Sequence, residues 1–255
     1  HLACISNDPS FELNPNLGKS INFDCFEPLV EISKKNKIKR FIYASSSSVY
    51  GVNSEPNINE LVELKPLTDY SYYKAECEKI LTDYQDNEFI GTIIRPATVC
   101  GYAPRQRLDV VVNLLTNLAY NKREMTVFGG DQLRPNIHVL DMVRVYYEII
   151  KSPENIISKQ IFNAGIDNKT VNEIANSVKN LVGKDVKIYK KPTDDNRSYH
   201  IDSSKIKKIL NFEFKYSVED AIMHLLQAFN KNLLINPLMN ENYFNIKKMQ
   251  NINLK

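Results

Sequence analysis

Two short runs of β-forming residues flank one helical stretch, and that order constrains the fold more than any other feature of the chain. Arg40-Phe-Ile-Tyr-Ala44 and Phe89-Ile-Gly-Thr-Ile-Ile94 are dense in aromatic and branched residues and read as buried strands. Between them, the residues from about Tyr70 to Tyr84 read as a helix. Strand, helix and strand in succession make a βαβ unit with parallel strands, whose carboxyl ends share one edge of a sheet. Ser45 to Ser48 follow the first strand and Arg95 to Thr98 follow the second, so both segments arrive at the edge where open α/β sheets bind ligands.

The helix between them carries a reactive pair. Tyr70 and Lys74 stand four apart, and helical positions i and i+4 lie on one face. A free tyrosine, with a pKa of roughly 10, is a poor base at neutral pH. A lysine cation nearby favours the phenolate, so the pair predicts a depressed phenol. A serine hydroxyl from the neighbouring strand end can bind the same substrate oxygen. The plain alternative is an amphipathic helix with a snorkelling lysine. In a chain with 14 tyrosines the bare pair does not decide.

With these pieces in place, the chain resembles an extended short-chain dehydrogenase/reductase of the nucleotide-sugar epimerase/dehydratase group. The matching segments fall in the family's order over about residues 1 to 215. They are His1-Leu-Ala, Ser45-Ser-Ser-Ser-Val-Tyr-Gly51, Tyr70-x-x-x-Lys74, Arg95-Pro-Ala-Thr-Val, the stretch from Val127 to Asp141, Phe162-Asn-Ala-Gly165, Asp195-Asn-Arg197 and Asp202-Ser-Ser-Lys205. The resemblance implies an α/β fold: a doubly wound, Rossmann-like parallel sheet lacking its first strands, with a smaller substrate lobe. Residues 1–165 would belong to the dinucleotide-binding domain, interleaved with lobe segments near 101–135. Residues 166–230 would form the lobe and 231–255 a tail.

The same resemblance implies the site. Ser46, Tyr70 and Lys74 would be catalytic. Leu2, Ala3, Asn22, Ala44, Ser45, Tyr70, Lys74, Arg95 and Pro96 would contact NAD, with NADP an alternative. Ser46, Ser47 and Thr98 would contact the substrate, a nucleoside-diphosphate sugar. Arginine suits bidentate recognition of a diphosphate, and Arg134 and Arg197 would hold it, with Arg105 and Arg107 able to join them. The bland alternative for each arginine is a surface ion pair worth about 0–1 kcal/mol. Sugar 4,6-dehydratases of the family place an acid pair directly after the catalytic hydroxyl residue. Here Ser46 takes the hydroxyl position and the next two residues are Ser47 and Ser48. Neutral serines do not transfer protons as carboxylates do near pH 7. The expected reaction is therefore NAD-dependent epimerisation through a keto sugar. A keto-sugar reductase or dehydrogenase is the alternative, and a 4,6-dehydratase or a noncatalytic relative stands behind it.

No Gly-x-Gly-x-x-Gly occurs in the sequence. The turn that cradles a dinucleotide pyrophosphate is expected upstream of His1, which the resemblance places within the fold's fourth strand. The 255 residues as given are therefore expected to bind nicotinamide cofactor poorly; a micromolar affinity in an NAD titration would contradict this.

Charge points to no polyanionic partner: 33 basic against 30 acidic residues leave a net charge of +3, so neither nucleic acid nor a membrane surface is expected. Cys4, Cys25, Cys77 and Cys100 lack metal-ligand spacing and read as buried thiols of a reducing, cytoplasmic compartment; no metal is expected. Locally, residues 1–4 read as the end of a strand. Ser6 to Asn16 read as a polar loop, and about Leu17 to Asn36 as a helix burying Ile21, Cys25, Leu29 and Ile32, with Pro28 kinking it or delaying its start. Helices are expected over Gln106–Lys122, Asp141–Ile150, Thr170–Leu181 (opened by a capping box) and Ser217–Phe229, with strands at Met125–Phe128 and Val186–Tyr189. From Asn230 the Asn/Lys-rich sequence reads as a poorly ordered tail. A homodimer through the helices containing Lys74 and Val30 is expected from the resemblance.

Overall fold

The computed structural model describes residues 1–252 apart from 54, 56, 194–197 and 199. In chain order, the first half runs α1 (Asp8–Phe11), α2 (Pro15–Lys19), a π-helical turn (Ser20–Asp24), α3 (Phe26–Lys35), β1 (Arg40–Ala44), α4 (Asp69–Tyr84), β2 (Ile90–Pro96) and β3 (Thr98–Cys100). It continues through α5 (Val111–Lys122), β4 (Glu124–Phe128), β5 (Leu133–His138), α6 (Val139–Lys151), α7 (Glu154–Ile157), β6 (Gln160–Ala164) and β7 (Asp167–Thr170). Last come α8 (Val171–Val182), β8 (Lys187–Lys191), α9 (Ser204–Leu210), α10 (Val218–Asn230) and α11 (Asn245–Asn251).

The predicted βαβ unit is present: β1 pairs in parallel with β2, Ile42 opposite Thr92, and β2 pairs in parallel with β6. Both faces of this sheet are covered, as continuous apolar strands require. On one face Phe26, Val30, Cys77 and Leu81 of α3 and α4 pack on Phe41, Tyr43 and Ile93. On the other, Met142, Val145 and Ile149 of α6 and Ile206 of α9 pack on Ile90, Ile94 and Phe162. A separate core joins α5, α8 and α10 to β4 and β8 through Leu115, Ile174, Leu225 and Met125. The strands β3, β5 and β7 form a small mixed sheet.

Several local expectations are corrected. Residues 1–4 form no strand, yet His1 runs beside β1: its N-terminal amine donates to Ile42 O at 2.7 Å and its carbonyl accepts from Ala44 N at 3.2 Å. The polar loop contains two helix starts. Asn7 and Asn14 cap α1 and α2 through their side-chain oxygens, and Pro9 and Pro15 fall in the first turns, where a missing N–H costs nothing. The buried face of the next helix is also different. The π turn inserts an extra residue and rotates the downstream turns, so Asn22, Phe26 and Val30 face inward while Ile32 is 58% exposed and Cys25 lies at the surface.

The chain beyond Asn230 is no loose tail. Leu234 is buried, Asn117 Nδ2 donates to Pro237 O at 2.9 Å, and Leu108 N donates to Tyr243 O at 2.8 Å. Tyr243 and Phe244 close over the α5/α8/α10 core.

Candidate active site

The carboxyl ends of β1 and β2 open onto a cleft of about 480 Å³, lined by Ser45 to Ser48, Tyr70 and Pro96 to Gly101 together with loops from both halves of the molecule. Tyr70 enters on the first turn of α4. That turn is fixed by reciprocal capping, Thr68 N donating to Ser71 Oγ at 3.1 Å and Ser71 N to Thr68 Oγ1 at 3.2 Å. The Ser46 hydroxyl and the Asn7 backbone N–H face the phenol oxygen closely enough to favour its ionised form. Ser46 also caps the short turn Ser47–Tyr50, accepting from Ser48 N at 3.1 Å and from Ser48 Oγ at 2.8 Å. Ser45 Oγ is buried at the same edge without a hydrogen-bond partner. Lys74, one turn on, is buried; its ammonium donates to Ala44 O at 2.8 Å and lies 5.8 Å from the centroid of the Tyr70 ring.

The expected depression of the Tyr70 phenol is not met. Burial pushes it well above the ordinary tyrosine value, and Cys4 and the Asp8 carboxylate push the same way, outweighing Asn7 and Ser46. Loss of hydration penalises the phenolate, and the lysine charge sits on a backbone carbonyl.

Other sequence-read positions divide clearly. Thr98, Arg105, Arg107 and Arg134 line the cleft with Ser46 and Ser47, and Arg197 lies outside the described residues. Arg107 donates from Nε to Asp109 Oδ1 at 2.9 Å, while its Nη2 is buried without a partner. Arg105 turns to the C-terminal segment, donating to Asn242 O at 2.8 Å. Leu2 and Ala3 are exposed and stand outside the cleft lining, as do Asn22 and Ala44. Asn22 pins the first residues instead, exchanging two hydrogen bonds with the Ile5 backbone at 2.8 and 2.9 Å.

Arg95 departs from its expected cofactor contact. Its buried guanidinium meets Glu78 on α4 (Nη2 to Oε2 at 2.6 Å, Nε to Oε1 at 3.0 Å) and donates to Tyr50 Oη at 2.8 Å. Tyr50 in turn donates to Asn163 Oδ1 at 2.7 Å. This network ties α4, the serine turn and β6 together beneath the cleft.

Sequence reasoning missed Asp8, Asp109 and Asn113, all cleft-lining. Asp8 sits in the stretch read as a loop, and its carboxylate accepts from Thr68 Oγ1. The carboxamide of Asn113 accepts from Gly101 N at 2.9 Å and donates to Arg107 O at 2.8 Å. Only the fold brings these segments together, although the Asn-Asp-Pro cap signal is present for Asp8. Among the described residues no cluster of His, Cys, Asp and Glu could hold a metal ion, and no helix is long and apolar enough to cross a membrane.

The sequence profile of the NAD dependent epimerase/dehydratase family matches residues 1–165. The uncharacterized UDP-glucose epimerase YtcB of Bacillus subtilis (strain 168) is 26% identical over 205 residues, 79% of this chain and 64% of that protein. The chain thus spans less than two thirds of that relative's length. The crystal structure of UDP-glucose 4-epimerase with UDP-glucose from Thermotoga maritima superposes with a TM-score of 0.82 at 27% identity, covering 92% of this chain and 77% of the other. UDP-glucuronic acid 4-epimerase from Bacillus cereus, in complex with UDP-glucuronic acid and NAD, gives a TM-score of 0.80 at 25% identity over 92% and 75% of the two chains.

Proposed function

This chain belongs to the NAD dependent epimerase/dehydratase family, and we propose that the protein it forms interconverts two epimers of a nucleoside-diphosphate sugar through a transient keto sugar. The observation that carries the reading is the meeting of Tyr70 and Ser46 at the cleft, with Ser47 and Ser48 where a dehydratase of the family has its acid pair. Ser46 holds the reacting sugar hydroxyl, and Tyr70 takes its proton and later returns it. NAD, when bound, supplies the hydride acceptor and donor. The residues present suit its nicotinamide end: Ser45 Oγ is a buried polar atom awaiting a partner, and Lys74 spends one of its three donors on Ala44 O. Tyr70, Lys74, Ser45 and Pro96 would hold that end. The sequence contains no Gly-x-Gly-x-x-Gly for the pyrophosphate.

The uridine-diphosphate sugars named for the relatives support UDP as the carrier, with Arg107 and Arg134 toward the diphosphate. A homodimer through α3 and α4 belongs to the same reading, supported by Ile32 and Tyr72 exposed on those helices. The free thiols of Cys4, Cys25, Cys77 and Cys100 support a reducing, cytoplasmic setting. One observation favours a second reading, loss of water from the sugar: the Asp8 carboxylate lines the cleft beside Tyr70 and supplies the acid that Ser47 and Ser48 do not.

Incubating the whole protein with NAD and a panel of UDP-sugars, followed by proton NMR of the sugar, separates these. Epimer formation with no net build-up of reduced cofactor is expected. A dehydrated product transfers the assignment to the second reading, and stoichiometric reduced cofactor sinks both.

A further inference from the structure

The segment from Glu241 to Asn251 reaches the cleft from the far end of the chain, and one residue in it touches three side chains at the cleft wall. Asn245 N donates to Asp109 Oδ2 at 2.8 Å. Its carboxamide oxygen accepts from Arg105 Nη2 at 3.3 Å, and its Nδ2 approaches Ser6 Oγ at 3.4 Å. Asn242 O takes a second bond from Arg105, at 2.8 Å. Asp109 is the pivot: one carboxylate oxygen holds Asn245 N and the other holds Arg107 Nε at 2.9 Å. Arg107 is then left with Nη2 buried and unpartnered. A buried, unsatisfied guanidinium N–H costs free energy unless a ligand completes it, and its natural complement is an anionic oxygen.

We infer that Asn245 is a positioning residue of the substrate site, holding Asp109 so that Arg107 presents its free N–H to the diphosphate of the nucleotide sugar. The inference rests on the substrate class proposed above. It also assigns Arg105 to anchoring the C-terminal segment rather than to the phosphates.

The geometry permits a clean deletion. Asn245 is the first residue of α11, following Phe244 in an extended conformation (φ −128°, ψ 102°). Proline is well tolerated at that helical position, and an extended preceding residue is what proline requires. Asn245→Pro therefore removes the N–H to Asp109 together with the side-chain bonds while α11 is kept, and Asn245→Ala removes only the side-chain bonds, so the difference between the two variants isolates the N–H. The test is binding of UDP and of uridine, measured by calorimetry or by competition, to the wild type and both variants. Asn245→Pro is expected to weaken UDP about tenfold, in keeping with loss of one well-held charged hydrogen bond, and to leave uridine within twofold. Asn245→Ala is expected to fall between wild type and Asn245→Pro for UDP. A role in stability alone would weaken both ligands alike, and that result overturns the inference, as does UDP binding by Asn245→Pro within twofold of wild type. Wild-type protein that fails to bind UDP removes the proposed substrate class itself, an outcome seen before any variant is compared.

Discussion

Glu78→Gln is expected to destabilise the protein by about 3–5 kcal/mol, the usual cost of removing one partner from a buried ion pair. For a chain of this size that corresponds to a fall in melting temperature of roughly 6–20 °C. Arg95 and Glu78 are 3% and 4% exposed, so water cannot replace the lost carboxylate. The guanidinium would keep one amide oxygen at position 78, Tyr50 Oη and a 3.3 Å bond to Glu60 O, but would lose its counter-charge and the bidentate grip. The sign of the coupling is as informative as its size. Glu78→Leu combined with Arg95→Met removes both charges and leaves an apolar contact of similar volume, which is often nearly neutral. The double variant is therefore expected to be more stable than either single one. Thermal unfolding of the wild type, Glu78→Gln, Glu78→Leu, Arg95→Met and the double variant checks this; singles that cost less than about 1 kcal/mol would place the pair among exposed ion pairs in its energetics.

That same pair shows where the sequence is readable and where it is not. The β1–α4–β2 unit is legible because buried parallel strands are short, apolar and β-branched, a purely local signal. The serine run and Tyr70 are legible because their spacing places them at one sheet edge. Arg95 is misread because its position after a strand is a cofactor address in the family pattern, whereas its side-chain direction depends on Glu78, 17 residues away in sequence and on another element. The α3 face is misread for a different reason: periodicity assumes 3.6 residues per turn, and the π turn at Ser20–Asp24 breaks that register without any compositional mark. The C-terminal segment is hidden by composition. Asn and Lys dominate it, yet a few apolar residues, Leu234, Tyr243 and Phe244, suffice to dock it because the core they meet already exists. Asp8, Asp109 and Asn245 share this property. Asp8 meets Thr68, and Asp109 meets Asn245, across long stretches of sequence that no local pattern links.

Tyr70→Phe is expected to lower turnover in the proposed epimerisation by about 10²–10⁴-fold, the range for loss of a general acid–base group, while binding of the nucleotide sugar is retained. The phenol oxygen is the atom that Ser46 and Asn7 N–H address; the ring itself packs edge-on against Phe11 at 6.3 Å between centroids, and phenylalanine preserves that contact. The pH profile adds a second readout. Burial holds the phenol above its ordinary value of 10.0 in this state, so the basic form is scarce at neutral pH and grows as pH rises. Wild-type kcat/KM should accordingly climb with pH on its acid side, by about tenfold per unit below the apparent pKa, and the variant should lose that limb. Bound NAD, which the proposal places against Tyr70, Lys74, Ser45 and Pro96, would bring a positive charge that opposes the effect of burial and would shift the limb to lower pH, in the direction that makes the base usable. Turnover within a few-fold of wild type in Tyr70→Phe, or a profile that keeps the same rising limb, would remove Tyr70 as the base and pass the role to a cleft carboxylate, Asp8 or Asp109.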